Sequence, residues 1–291
     1  MNLVILFSLA FVFCSLNQIF QEKTVHKYGF KKHGVVKFVQ MAFFTLLIMG
    51  IGRLIGGQAE IFKYKFEFNY YVLGLILAQG VLGFFVTWLF NKLLEKTEIY
   101  SLGLIMKMNI IIVLLIDYFK GDVNITFMML GYIIMFLIGI FIVLDIHTLK
   151  GHHFKEDLKY IEYILAIFVV GIISPYLIKL SLDTGTINAE TVSLFSTSII
   201  AMMFVVVFKI KIDKESFIEY IPQSLSAVIS GVAINNIIAE YGVFYSVLIT
   251  TSVIIGVTIL SSVVLKDKIS FRKYTGVVIA AIGFFLISIN L

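Results

Sequence analysis

Runs of eighteen or more apolar residues recur along the whole chain, each ended by a short polar or basic stretch. A run of that length, wound as an α-helix, crosses a hydrocarbon core of roughly 30 Å. The pattern predicts ten spans, at about 2–20, 34–55, 69–93, 98–117, 124–145, 159–181, 189–209, 217–239, 243–264 and 272–290. A spanning β-barrel would need segments of about ten residues in strict in–out alternation. These runs are twice that long and do not alternate. The longest polar stretches, 21–33 and 145–159, leave no room for a soluble domain. The second of them divides the chain into a first five-span half, 1–146, and a second, 147–291.

The halves share a pattern. Residues 91–131 fall on 236–276 without a gap, at an offset of 145 positions. Asn91 meets Asn236, Glu95 meets Glu240, Tyr100-Ser101 meets Tyr245-Ser246, Asp122 meets Asp267 and Gly131 meets Gly276. Matches between scarce residue types outweigh any number of isoleucine matches in so apolar a chain. A repeat of five spans, an odd number, puts the two halves in opposite orientations across a membrane. The expected fold is therefore an all-α integral membrane protein of ten transmembrane helices, arranged as two inverted five-helix repeats.

Composition agrees. Hydrophobic residues make up 60% of the chain and charged ones 14%, with a mean hydropathy of +1.01; soluble domains carry about 25% charged residues. The net charge of +5 sits in connections and speaks to membrane orientation rather than to nucleic acid. Odd-numbered connections hold seventeen Lys and Arg, Lys37 counted among them, and even-numbered ones hold five. The positive-inside rule then puts the odd connections in the cytoplasm and both termini outside. The N-terminal MNLVILFSLAFVFCS has no basic lead and reads as a span rather than a signal peptide. The lone cysteine, Cys14, excludes an internal disulfide and reads as packing. Membrane lipid is the expected surroundings, a second copy of the chain is a candidate partner, and no cofactor or metal is expected.

Polar groups within the spans carry the candidate chemistry. Lys107 lies near the middle of the fourth span. A charged lysine there costs about 2.5–3.5 kcal/mol unless it faces water, a partner or a ligand. Its counterpart at the 145 offset is Ser252, so the repeat is chemically one-sided at this position. On the third span Gln79, Gly83, Thr87 and Asn91 share one helix face, which suits either a wet pathway or a close helix seam. Gln223, Ser226 and Ser230 form a similar face on the eighth span, with Asn235 and Asn236 near its end. Ser15, Gln18 and Gln40 are weaker candidates. Gly52/Gly56 and Gly83/Thr87 are expected at helix contacts, and Pro175 and Pro222 at bends. The five histidines, His26, His33, His147, His152 and His153, fall in predicted connections, and no grouping of catalytic residues appears.

Ten spans in two halves, with the segment YSVLITTSVIIGVTILSSVVLKDKISFRKYTGVVIAAIGFFLIS, resemble the drug/metabolite transporter superfamily, particularly its bacterial EamA-like branch. Met106-Lys107-Met108-Asn109 is similar to a stretch of some bacterial relatives. Asp267 stands where many members have Glu. The resemblance implies a cavity lined by spans one to four and six to nine, with spans five and ten peripheral, and transport by alternating access. The expected function is a secondary transporter in the inner (cytoplasmic) membrane for a small polar or anionic metabolite, coupled to a proton or a counter-substrate. Lys107, Gln79, Gln40, Ser230, Asn235 and Ser252 are the expected substrate-binding residues. The alternatives are a non-transporting membrane subunit, a membrane enzyme acting on lipid, or a multidrug cation exporter. The absence of a central acid argues against the exporter.

Overall fold

The computed structural model describes residues 3–54, 65, 67, 69–94, 109–143, 161–264 and 270–289. Among them run nine α-helices: α1 (Leu3–Leu54), α2 (Tyr70–Leu94), α3 (Asn109–Lys120), α4 (Phe127–Val143), α5 (Ile161–Asp183), α6 (Ala189–Phe208), α7 (Lys214–Tyr241), α8 (Val243–Val264) and α9 (Phe271–Ile289). Six of these are long and apolar enough to cross a membrane. Lys107 lies outside the described residues, as do Tyr100, Glu95, Asp267 and the pair His152-His153.

The α1 helix is folded. Gly29 has φ 77° and ψ 158°, a conformation open essentially to glycine alone. Gln21 and Lys37 are sixteen residues apart and would be separated by roughly 24 Å along a straight helix. Instead the Lys37 ammonium donates to Gln21 Oε1 across 3.4 Å. One turn nearer the bend, Thr24 Oγ1 and His33 Nδ1 are 3.0 Å apart. These two rungs are centred on Gly29, so residues 3–28 and 30–54 form an antiparallel pair. The stretch 21–33, predicted as a connection, is helical up to that one residue.

The surface is apolar where that of a water-soluble protein is polar, and the interior mixes an apolar core with buried polar groups. Exposed apolar residues repeat at one face of each long helix: Phe43, Leu47 and Ile51 on α1, Leu77, Val81 and Phe85 on α2, and Leu165, Val169 and Ile173 on α5. Buried positions include Gln21, Thr24, His33, Lys37, Gln40, Asn91, Asp117, Glu190 and Gln223. In lipid such a distribution costs little outside and requires hydrogen bonding inside. The described chain is a helical bundle of membrane-protein character.

Close seams depend on small residues, because apolar area alone drives no association between helices in lipid. The α4 and α9 helices cross antiparallel. A side chain added at Gly139 would lie 2.6 Å from Ala280 Cα, one at Gly283 2.6 Å from Phe136 N, and one at Gly276 2.8 Å from Val143 N. The α2–α6 seam uses Gly80 against Ile199 and Gly83 against Ile200. The glycine expected at 83 is thus a packing residue, while Gly56 lies outside the described residues. Pro175 and Pro222 lie inside α5 and α7, which run on through them.

Helix ends are tied by capping. Asn188 accepts from Thr191 N at 3.2 Å at the start of α6, and Asp213 accepts from Ser216 N at 2.8 Å at the start of α7. The Lys32 ammonium also bonds Asp213, and together these donors hold its carboxyl well below the usual carboxylate range. A depressed carboxylate stabilises the fold above its unfolded value near pH 4 and loses that contribution as pH falls further.

Two substitutions test this packing. Gly139→Ala forces a methyl group into backbone and is expected to cost about 1–3 kcal/mol. Gly131→Ala, where nothing lies within 4 Å, is expected to leave thermal stability in detergent unchanged. Equal melting temperatures for the two variants would contradict the crossing described here.

Candidate functional site

A buried polar cluster lies where the folded α1 meets α2 and α7. It is built from the two rungs outward. Lysine only donates, so the Gln21 carbonyl must face Lys37. The Gln21 amide nitrogen then points away and donates to Asn91 Oδ1 at 2.8 Å. That leaves Asn91 Nδ2, with two N–H groups, buried and without a partner. On the other rung Thr24 Oγ1 donates to Gln223 Oε1 at 2.8 Å. Gln223 Nε2 is left in the same state, as is His33 Nε2.

The α7 helix clamps both arms of α1. Tyr220, fully buried, donates its hydroxyl to Thr24 O at 3.4 Å. Ser224 Oγ donates to Lys37 O at 3.4 Å. Gln40 Nε2 bonds Phe217 O, while its Oε1 stays unpartnered. Outside the cluster the bend is fastened by Lys27 to Glu219 at 2.5 Å and by Lys32 to Asp213.

Lys37 is 5% exposed. Its one hydrogen bond is long, and its ammonium lies 5.8 Å from the Phe38 ring centroid. None of the ion pairs among the described residues includes it. A buried cation with two N–H groups to spare, beside two amide nitrogens with four more, is a surplus of donors. Burying charge and amides without acceptors costs several kcal/mol, so such a surplus calls for water or an acceptor-rich ligand.

The opposite end of the bundle is tied by carboxylates whose partners are in place. Asp117, at the end of α3, accepts from Tyr176 Oη at 2.6 Å and from Phe244 N at 3.0 Å. The second bond caps α8 from another helix, where α7 and α8 are joined by Gly242 alone, at φ 98°. Glu190 is buried in the first turn of α6 and accepts from Asn236 Nδ2 at 3.1 Å.

Of the residues singled out by sequence, Gln40 belongs to the cluster. Gln79 is buried on α2 with Oε1 unpartnered. Asn235 donates to Ala189 O at 3.3 Å and joins α7 to α6. Ser230 and Ser252 are buried and bond their own helices, at Ala227 O and Ile249 O. Ser15, against Gly256, bonds Phe11 O and Val253 O and marks a seam of α1 with α8. The face Gln79–Gly83–Thr87–Asn91 therefore divides: Gly83 is seam, and Asn91 is site.

Two residues correct the sequence reading. Lys37 and His33 are both expected in a connection; both are buried on the second arm of α1. The missed signal was spacing. Gln21 and Thr24 share one helix face, as do His33, Lys37 and Gln40, and Gly29 falls midway between the two sets.

Searches found no family model and no curated protein that match the chain. Among solved structures, 27 chains match. One is a crystal structure 13% identical in sequence, with a TM-score of 0.71, covering 99% of this chain and 97% of that one. The chain shares that protein's fold over essentially its full length.

Asp117→Ala would strand the Phe244 N–H and leave the Tyr176 hydroxyl with only its long bond to Val113 O at 3.4 Å. The expected loss is about 1–3 kcal/mol for each buried group left unpaired. It should appear as a lower melting temperature that Asp117→Asn, which keeps an acceptor, partly restores.

Proposed function

We propose that the chain is a secondary transporter that moves a small polar or anionic metabolite across the inner (cytoplasmic) membrane by alternating access. The observation that carries this reading is Lys37: a buried cation with one long hydrogen bond and, among the described residues, no ion pair to an acid. A purely structural lysine in lipid is expected to be paired, and an unpaired one marks a substrate or ion path.

The architecture supports the same reading. Among the described residues, counting the two arms of α1 separately gives ten helical segments, which is compatible with the ten proposed spans. In the α4–α9 crossing, 136 pairs with 283 and 139 with 280. The sequence separations of those pairs, 147 and 141, bracket the repeat offset of 145, so each helix meets its own counterpart near the crossing point. A self-complementary contact of this kind is what a pseudo-two-fold between inverted halves requires. Two such halves can rock about a site held between them. This agrees with the resemblance to the drug/metabolite transporter superfamily and with its peripheral fifth and tenth spans. Lys107, the main substrate-binding residue expected from sequence, lies outside the described residues and remains a proposal.

Uptake into proteoliposomes tests the proposal, with labelled amino acids, sugars and organic anions as the panel. Lys37→Met removes a charge-assisted bond and is expected to slow uptake of the responding solute about 10–100-fold. Lys214→Ala, at the exposed start of α7, is expected to leave uptake unchanged. No uptake of any panel member by the wild-type chain would count against transport.

A further inference from the structure

We infer that the Lys37 cluster is a binding site for a carboxylate monoanion. This deepens the transport proposal and rests on it for the role of the ligand, but the site stands on its own geometry. Lys37, Asn91 and Gln223 belong to one connected set. Nζ bonds Gln21, whose other end bonds Asn91, while Thr24, one turn along the same arm, bonds Gln223. Gln21 and Thr24 sit about 5 Å apart along the helix, so the two amides are anchored on successive turns of the arm that faces Lys37.

The polarity of that set follows from its one cation. Because the ammonium cannot accept, Gln21 must turn its oxygen inward, and Asn91 is forced to present nitrogen as its free end. Gln223 accepts from the Thr24 hydroxyl, whose one proton is shared with Phe20 O at 2.8 Å, and in that orientation it presents nitrogen as well. Asn91 and Gln223 are both fully buried, and their free nitrogens have no partner. The unpartnered atoms on the second arm are two acceptors, Gln40 Oε1 and His33 Nε2, because His33 Nδ1 carries the ring proton when the Thr24 hydroxyl donates to Gln223; the donors still outnumber them.

Ligand charge follows from charge matching. A buried cation is stabilised by one opposite charge with hydrogen bonds to its remaining lone pairs. One ammonium therefore fits one negative charge. A carboxylate has two oxygens and about four acceptor positions, enough to take a lysine N–H on one oxygen and an amide N–H on the other. A cation would meet the same donors unfavourably. A phosphate dianion would bring a second charge that no residue of the cluster offsets.

Thermal unfolding of the purified full chain in detergent tests the assignment, with propionate as probe and sodium chloride, inorganic phosphate and choline at matched ionic strength as contrasts. Propionate is expected to raise the melting temperature by a few degrees in a concentration-dependent way, and the contrasts are not. Lys37→Met should abolish the response, and Lys37→Arg should retain part of it. Asn91→Asp keeps the acceptor that Gln21 uses and builds a carboxylate into the cluster. It should melt above the wild type without ligand and no longer respond to propionate. Equal responses to chloride and propionate, a Lys37→Met response equal to wild type, or an Asn91→Asp variant that still responds would each overturn the site. The two proposals fail separately. Propionate binding that needs Lys37, without uptake of any solute by proteoliposomes, keeps the site and ends the transport reading. Uptake that survives Lys37→Met keeps transport and removes this site.

Discussion

A lysine that can only donate, buried two turns past a glycine, sets the arrangement at one end of this bundle. Its ammonium fixes which way Gln21 faces, Gln21 fixes Asn91, and the joined side chains hold α2 against the folded α1. Both arms of α1 are clamped by α7, the first by Tyr220 at Thr24 and the second by Ser224 at Lys37 and Phe217 at Gln40. The contacts between the arms, Lys37 with Gln21 and His33 with Thr24, form only because α1 reverses at Gly29. In an extended helix of 52 residues the two sets of polar side chains would lie at different depths, each facing lipid. The bend and the cluster are therefore one feature. The φ of 77° is sterically open because residue 29 has no side chain, and the rungs on either side supply the interactions that hold it.

The apolar parts of the structure follow a different rule. With lipid outside, exposed Phe, Leu and Ile need no cover, and helices associate where backbone can approach backbone. The α4–α9 crossing has this form, with Gly139, Gly276 and Gly283 each meeting main chain of the other helix. Gly131 and Gly276, paired by the repeat, are not equivalent in packing: nothing approaches Gly131, while Gly276 lies against Val143. Asn91 and Asn236, also paired by the repeat, both bond side chains of neighbouring helices, Gln21 in one case and Glu190 in the other. Shared sequence marks where a helix ends. It does not carry over the chemistry at that end.

Helix class and most span positions were legible because a run of eighteen apolar residues admits few structures. The cluster was not, for a specific reason. A hydropathy count treats Lys37 as the basic edge of a loop, since Lys31, Lys32 and His33 precede it and the apolar run follows. Burial depends instead on which face of the helix points inward, and that is set by long-range contacts with Asn91 and Gln223. Gln40 was legible because it stands alone in an apolar run. His33 was not, because its burial depends on Thr24 across the bend. The stripe from Gln79 to Asn91 was legible as a polar face, and only neighbours could divide it into seam at Gly83 and site at Asn91.

The two ends of the bundle differ in how completely their polar groups are used. At the end holding Asp117 and Glu190, carboxylates accept from a tyrosine hydroxyl, a backbone N–H and an asparagine amide. Opening that end would separate acceptors from donors already engaged, at about 1–3 kcal/mol for each group left dry. At the end holding Lys37, several donors are already without acceptors, so rearrangement there forfeits fewer bonds and the arrival of an acceptor gains some. A ligand shifts a conformational balance only by its difference in affinity between the two states. The end with unused donors is the one where a bound anion has such a difference to offer. The asymmetry begins with the residue types the two ends employ, carboxylates at one and an ammonium with amides at the other.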